Sequence, residues 1–262
     1  MDFELAYALA GLVVGFAVGL TGIGGGALMT PLLHLGFGIP IATAVGTDLL
    51  YASITKVSGV YAHSRALTIE WRIVALLALG SLPAAAITLL AVSWLGISGE
   101  GFERLIIHTL SAAVLATAVL ILLKGKLLKL LASTRFPSFL THPRCRDGLT
   151  VAGGIVIGIL VTLTSVGAGV LGTTLVLLLY PGLTAARVIG TELAHAVPLT
   201  LVAGVGHLGL GTVDLALLAS LLLGSVPGAY VGAKFGTRLS DRVLRPVLAG
   251  MLMFIGLRLG FA

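Results

Sequence analysis

Ten apolar runs cover most of this 262-residue chain and leave only short polar segments between them. One helix needs about 20 apolar residues to span the hydrocarbon core of a bilayer, so ten helices would take about 200. Charged residues make up only 10% of the chain, against roughly 25% in a soluble domain. We therefore predict an all-α polytopic membrane protein, and the composition argues against a soluble enzyme. The runs lie near 5–20, 23–37, 40–61, 72–96, 104–123, 149–164, 167–181, 184–206, 213–233 and 243–261.

The two halves of the chain match each other at an offset of 144 residues. The matched segments are Gly46-Thr47-Asp48 with Gly190-Thr191-Glu192, His63 with His207, and Gly80-Ser81-Leu82-Pro83 with Gly224-Ser225-Val226-Pro227. Five crossings per half is an odd number, so the second half would be inverted relative to the first. This predicts two inverted repeats, at 1–123 and 148–262, joined by a basic cytoplasmic linker at 124–147.

The distribution of basic residues predicts the orientation of the chain. If all ten runs cross the membrane, most of the 16 Lys and Arg residues fall on the side of the 124–147 segment, which the positive-inside rule assigns to the cytoplasm. Orientation and lipid contact explain the net charge of +6 better than nucleic-acid binding does. We expect a multi-pass protein of the cell (inner) membrane. Homo-oligomer formation stays open, as does whether the short segments 23–37 and 167–181 cross or re-enter.

Glycine-rich breaks precede both short runs, at 21–26 and 164–169. Each interior glycine opposes helix formation by about 1 kcal/mol, and unwound backbone at membrane depth must line a cavity or be buried in protein. Helices that begin after such breaks direct free N–H groups and a positive dipole end towards an anion. Close helix packing through small residues is the alternative. The predicted substrate-binding residues are Thr21, Gly22, Gly24, Gly25, Gly26, Thr47, Thr164, Ser165, Gly167, Gly169 and Thr191.

Four of the ionisable residues inside the apolar runs are candidates for a polar site, because a charge costs at least about 2.5–3.5 kcal/mol at the bilayer centre. Asp48 and Glu192 are candidates for proton coupling or for orienting a polar site, or they are neutral acids bonded to a neighbouring helix. Lys56 balances Asp48, attracts an anion, or extends to the cytoplasmic interface; the sequence leaves these three roles open. His195 follows Glu192 by one turn and either titrates or is a satisfied buried histidine.

Motifs for other chemistries do not occur in the sequence. There is no phosphate-binding P-loop, no nucleophile elbow and no Cys/His cluster with metal-ligand spacing. The single Cys145 excludes an intramolecular disulfide. We therefore expect no cofactor, no resident metal and no enzymatic activity.

Several of these motifs resemble the sulfite exporter TauE/SafE family of membrane proteins. The matching pieces are Gly19-Leu20-Thr21-Gly22-Ile23-Gly24-Gly25-Gly26 with Pro31, Ala44-Val45-Gly46-Thr47, Gly190-Thr191-Glu192 and Gly224-Ser225-Val226-Pro227. The similarity covers nearly the whole chain. It implies a duplicated membrane architecture that transports small sulfur-containing anions, usually outward.

The sequence thus predicts a secondary transporter that exports a small anion such as sulfite, thiosulfate or an organosulfonate, with proton coupling as an option. Two alternatives stay open. One is a cation or metal transporter that uses Asp48 and Glu192 as ligands. The other is a membrane scaffold that transports nothing.

Overall fold

The computed structural model is built of α-helices and describes residues 2–21, 26–94, 100–133, 142–236 and 241–261, among which no strand occurs. This confirms the predicted all-α polytopic class. The first half contains α1 to α5 and the second half α6 to α10. The helices are α1 (Asp2–Thr21), α2 (Gly26–Pro31, continued by a π-helical turn at Leu32–Gly36), α3 (Ile41–Arg65), α4 (Trp71–Trp94), α5 (Glu100–Ser133), α6 (Pro143–Thr164), α7 (Val170–Leu179), α8 (Ala185–Gly209), α9 (Leu215–Gly236) and α10 (Asp241–Gly260).

Five segments of the described helices are long and apolar enough to cross a membrane: Trp71–Trp94, Glu103–Leu123, Pro143–Thr164, Ala185–Gly209 and Leu215–Gly232. Shorter apolar helices include Ala27–Gly36 and Val170–Leu179, at the places where the sequence predicts short segments after glycine-rich breaks. Ten α-helical residues extend only about 15 Å, half the hydrocarbon thickness. Regular helix also enters the predicted linker from both ends, since α5 continues to Ser133 and α6 begins at Pro143.

The main helix pairs each join one half of the chain to the other. α1 packs on α9, α4 on α6, α3 on α8, and α5 on α10. α1 and α6 are the first helices of the two halves, and α4 and α9 are the fourth. In both the α1–α9 pair and the α4–α6 pair, the first helix of one half therefore packs on the fourth helix of the other. The halves are therefore interlocked through their helices.

Two of these pairs are parallel and are packed backbone to backbone. A Cβ atom at Gly224 of α9 would collide with the carbonyl oxygen of Ala8 in α1, and one at Gly80 of α4 would collide with the carbonyl oxygen of Val151 in α6. Glycine is needed at both positions because the facing main chain occupies the space of a side chain. Gly80 and Gly224 stand 144 residues apart, so the matched Gly-Ser motifs serve matched helix contacts.

The central pair, α3 and α8, is antiparallel. Going along α3 from Leu50 to Gly59, the contacts run backwards along α8 from Gly204 to Leu193. Where the helices cross, Ser53 Oγ donates to the carbonyl oxygen of Val197, a residue 144 positions later, at 3.4 Å. The two helices therefore contact each other at equivalent positions.

The outer surface of the bundle is apolar. On α9, for example, Leu223, Val226 and Tyr230 are all exposed. Such a continuous apolar surface fits contact with lipid and is rare in soluble monomers. The ionisable residues predicted from the apolar runs are instead buried on α3 and α8, where they form the candidate site.

Candidate functional site

The four ionisable residues singled out from the sequence are all buried on the two central helices. Asp48 and Lys56 come from α3, and Glu192 and His195 come from α8; all four are buried, with at most 9% of any residue exposed. The Lys56 ammonium acts electrostatically on each of the other three. Lys56 is thus enclosed by protein along most of its side chain. We call these four residues the central cluster.

Asp48 is held by a neighbouring hydroxyl. Thr30 Oγ1, from α2, donates to Asp48 Oδ2 at 2.6 Å. The Ser165 side chain also lies close to Asp48, although its hydroxyl and Asp48 Oδ1 both lack a hydrogen-bond partner. Buried polar atoms nearly always have a partner, so these two atoms mark a place where a further polar group would be stabilised.

Glu192 packs against the short helix α7 through a glycine. A Cβ at Gly172 would stand 3.0 Å from Glu192 Cγ and 3.7 Å from Oε1, so a larger residue would press on the carboxyl side chain. Glu192 Oε1 has no hydrogen-bond partner. Glu192 thus packs against α7, but among the described residues its carboxyl group lacks the kind of hydroxyl donor that Asp48 has in Thr30.

His195 is fixed by one of its two ring nitrogens. Its Nε2 lies 2.8 Å from Ser81 Oγ of α4, whereas Nδ1 has no partner. The residue 144 positions earlier, Tyr51, lies near Ser225, which is the equivalent of Ser81. Matched serines therefore support different ring side chains in the two halves.

The second glycine-rich break has a defined backbone. α6 ends at Thr164, Ser165 adopts a left-handed conformation (φ 58°), and Gly167 has φ 113°. The Thr164 hydroxyl donates to the carbonyl of Leu160 at 2.6 Å and accepts from the N–H of Val166 at 3.1 Å. Of the two hydroxyls predicted here as ligands, that of Thr164 stabilises the turn, and that of Ser165 is without a partner beside Asp48.

The rest of this break leads directly into α7. Gly169 precedes the helix as its N-cap, and its carbonyl accepts from the N–H of Thr173 at 3.0 Å. In the first half, α1 ends at Thr21 and α2 begins at Gly26. The predicted ligands Gly22, Gly24 and Gly25 lie outside the described residues.

Thr47 and Thr191 stand next to the two acids but are engaged in contacts between the halves. Thr47 Oγ1 accepts from the backbone N–H of Asp214 at 3.1 Å, and Thr191 Oγ1 accepts from that of Glu70 at 3.0 Å. The two bonds are related by the offset of 144. Both threonines therefore hold the start of a helix of the opposite half.

Three polar residues of the site escaped prediction. Thr30, Ser81 and Tyr51 lie inside apolar runs, and each is at most 2% exposed. Ser81 belongs to the Gly-Ser motif that repeats at Ser225, so the internal repeat was a signal for it. Thr30 carried no such signal, because a threonine in a membrane helix commonly bonds to its own helix.

The described residues contain no group of three or more His, Cys, Asp or Glu side chains that could hold a metal ion. The two acids and the histidine of the central cluster do not form such a group, and the cluster also contains a lysine. An ammonium group next to the ligands opposes a cation and favours an anion.

Comparison with known proteins gives a consistent result. The model of the family "Sulfite exporter TauE/SafE" matches residues 7–259. The chain is 39% identical to the "Probable membrane transporter protein YjnA" of Bacillus subtilis (strain 168), covering 96% of this chain and 97% of that protein. It is 32% identical to the "Probable membrane transporter protein YdhB" of the same organism, covering 92% and 96%.

A more distant relative comes from an archaeon. The "Probable membrane transporter protein MJ0441" of Methanocaldococcus jannaschii is 25% identical over 98% of this chain and 97% of its own length. No solved structure matches the chain.

Proposed function

Because the chain belongs to the sulfite exporter TauE/SafE family of membrane transporters, we propose that it is a secondary transporter that exports a small sulfur-containing anion across the cell membrane. Sulfite, thiosulfate and organosulfonates are the proposed substrate class. All three present several acceptor oxygens around one sulfur-centred group. The site must therefore supply positive charge and hydrogen-bond donors.

The observation that carries this proposal is the buried Lys56 among polar atoms without partners. Lys56, the Ser165 hydroxyl and an Nδ1–H tautomer of His195 are donors that an anion's oxygens would accept from. Ser165 Oγ and His195 Nδ1 are both unpartnered. In this proposal an anion that accepts from these donors would offset part of the cost of burying the ammonium group.

The glycine-rich breaks support the same role. The left-handed Ser165 and Gly167 turn the chain sharply before α7, whose N-terminal end carries a positive dipole. We assign the first break, 21–26, the equivalent role in the other half. In this proposal Thr47, Thr164 and Thr191 position the site without contacting the anion directly.

We further propose that the two halves are inverted repeats. The supporting contacts are the antiparallel crossing of the equivalent helices α3 and α8 and the reciprocal bonds of Thr47 and Thr191. Transporters of this plan place the substrate near the membrane midplane, between the repeats, and expose it alternately to the two sides. The residues of the central cluster lie on α3 and α8, on both sides of this crossing, which supports a site between the repeats.

Export needs no chemical energy source in this scheme. An inside-negative potential drives an anion outward with about 2.3 kcal/mol per charge per 100 mV. A sulfite gradient from metabolism acts in the same direction. Proton coupling would modify this driving force without replacing it.

The test is anion efflux from proteoliposomes loaded with sulfite, thiosulfate or a small organosulfonate in turn. We expect efflux of at least one of them above that of empty liposomes, and its loss in Lys56→Met. The matched control is Lys234→Met, because Lys234 is exposed near the end of α9. Efflux of none of the three anions, or unchanged efflux in Lys56→Met, would reject the proposal.

A further inference from the structure

We propose that Glu192, and not Asp48, is the side chain that takes up and releases a proton with each transported anion, and that the anion competes with the Glu192 carboxylate for Lys56. The anion in this scheme rests on the proposed function above. The assignment of the titrating group rests on the different hydrogen bonds of the two acids, together with the electrostatic effect of Lys56 on Glu192. Its starting point is a difference between two positions that the internal repeat makes equivalent.

The two acids have different hydrogen-bond surroundings. Asp48 Oδ2 accepts from Thr30 at 2.6 Å. The equivalent threonine of the second half, Thr174, instead donates to the carbonyl of Val170 in its own helix at 2.7 Å. Asp48 Oδ1 and Glu192 Oε1 both lack a hydrogen-bond partner, so the two acids differ in the bond from Thr30 that Asp48 has in addition. A hydroxyl donor stabilises the ionised form of a carboxyl group, so Asp48 has a local support for its charge that Glu192 lacks.

Only the first of the two repeats has a lysine at this position. The residue equivalent to Lys56 is Thr200, whose hydroxyl donates to the carbonyl of Ala196 at 2.9 Å. Lys56 acts electrostatically on Glu192, and Glu192 has no other described cation that does so. The charge of Glu192 therefore depends on whether Lys56 is available to it.

The elements packed around Glu192 contribute few other titratable groups. α3 brings Asp48, Tyr51 and Lys56 and, near its end, Tyr61, His63 and Arg65. Of these last three, His63 packs against Gly190 of α8, and its Nδ1 is bonded to the Thr68 hydroxyl at 2.7 Å. α7, which touches Glu192 through Gly172, has none. α4 has none after Arg72, and α6 has none after Asp147.

On α8 itself, His195 lies one turn from Glu192. Arg187 lies at the start of that helix, where it pairs with Glu70. Arg187 is thus committed to another acid, so Lys56 is the cation for which an anion and Glu192 would compete.

The proposal implies a fixed order in which the proton and the anion bind and leave. With Glu192 ionised, its carboxylate neutralises Lys56 and repels an incoming anion. When Glu192 takes a proton from water on one side, an O–H bond forms and the ammonium becomes free for the anion. Loss of that proton on the other side lets the Glu192 carboxylate compete for Lys56 again and expels the anion. Proton and anion thus travel together, and a dianion leaves with one negative charge less.

The first arm of the test needs no substrate. Infrared difference spectra of the protein in lipid nanodiscs are recorded while the pH is changed, and the band of a protonated carboxyl group is followed. We expect a pH-dependent buried carboxyl band that disappears in Glu192→Gln and persists in Asp48→Asn. The matched control is Glu103→Gln, since Glu103 is exposed on α5.

The second arm measures coupling with radiolabelled thiosulfate, which stays ionised near neutral pH. Proteoliposomes whose membrane potential is clamped at zero receive a pH gradient, alkaline inside. The thiosulfate concentration is equal on both sides at the start. One proton per anion supports at most about tenfold accumulation per pH unit. We expect accumulation by the wild type, a reduced rate with retained accumulation in Asp48→Asn, and equilibration without accumulation in Glu192→Gln. Glu192→Asp keeps a titratable group and should restore part of the accumulation.

The outcomes separate the two proposals. A titrating band that persists in Glu192→Gln and vanishes in Asp48→Asn overturns the assignment, as does pH-driven accumulation by Glu192→Gln. If thiosulfate, sulfite and organosulfonate all fail to move while the infrared band still depends on Glu192, the assignment of the titrating residue stands and the proposed substrate class fails.

Discussion

The hydroxyl of Thr47 accepts a hydrogen bond from the backbone N–H of Asp214 at 3.1 Å. Asp214 immediately precedes α9, and its own carboxylate caps that helix by accepting from the N–H groups of Ala216 and Leu217 at 2.9 Å each. Thr47 is completely buried in α3. The bond therefore fixes the start of a second-half helix to the residue that stands next to Asp48 in the central cluster.

Replacement of Thr47 or Thr191 by valine should destabilise the protein. Valine has nearly the same shape but leaves the N–H of Asp214 or Glu70 without its acceptor. Because these bonds are only partly buried, the loss should lie towards the lower end of the about 1–3 kcal/mol that a buried unpaired group costs. Thermal unfolding in detergent measures the loss. Thr109→Val serves as the control, because the Thr109 hydroxyl bonds only to the carbonyl of Leu105 in its own helix. Equal stability of all three variants would contradict a structural role for these bonds.

Gly224→Ala and Gly80→Ala should each lower the unfolding temperature. The added methyl group would meet the backbone of the facing helix, at Ala8 or at Val151, and overpacking costs about 1–3 kcal/mol. Gly250→Ala is the matched control, since a Cβ there meets nothing within 4 Å and alanine favours helix by about 1 kcal/mol. Stabilisation in all three variants would show that α1–α9 and α4–α6 do not pack this closely.

Thr30→Val and Thr174→Val should differ although the positions are equivalent. Thr30 of α2 donates to the Asp48 carboxylate of α3. A hydrogen bond to a charged group contributes about 1.5–3 kcal/mol. Thr174 bonds within its own helix, so its loss should cost clearly less. Chemical or thermal unfolding of the pair measures the difference. A larger loss in Thr174→Val would contradict the asymmetry between the two acids.

Ser81→Ala should reduce both stability and anion flux. Without the Ser81 hydroxyl, His195 would have no partner on either ring nitrogen, which costs about 1–3 kcal/mol for a buried group and leaves the ring free to turn. Flux in proteoliposomes and thermal unfolding are measured on the same preparation. Ser93→Ala is the control, because Ser93 is exposed and bonds to the carbonyl of Leu90. Wild-type flux in Ser81→Ala would exclude orientation of His195 as its role.

The sequence by itself determined the class of protein and the location of the chemistry. Long continuous runs of apolar residues with few charges indicate a membrane helix bundle, since a helix bonds all its backbone polar groups within one segment. Asp48, Lys56, Glu192 and His195 stood out for the same reason, because ionisable groups inside such runs are costly. The short helices after glycine-rich breaks were also predictable, from the low helix propensity of glycine.

Only the tertiary structure decided which polar groups meet and which stay without partners. Thr30 and Thr174 are the same residue type at equivalent positions, but one hydroxyl bonds to Asp48 and the other to its own helix. Residue type states what a hydroxyl can bond to, not which acceptor lies within reach. That depends on how α2 and α7 pack against the α3–α8 pair, through contacts between residues far apart in the chain. The difference between Asp48 and Glu192 arises at that level.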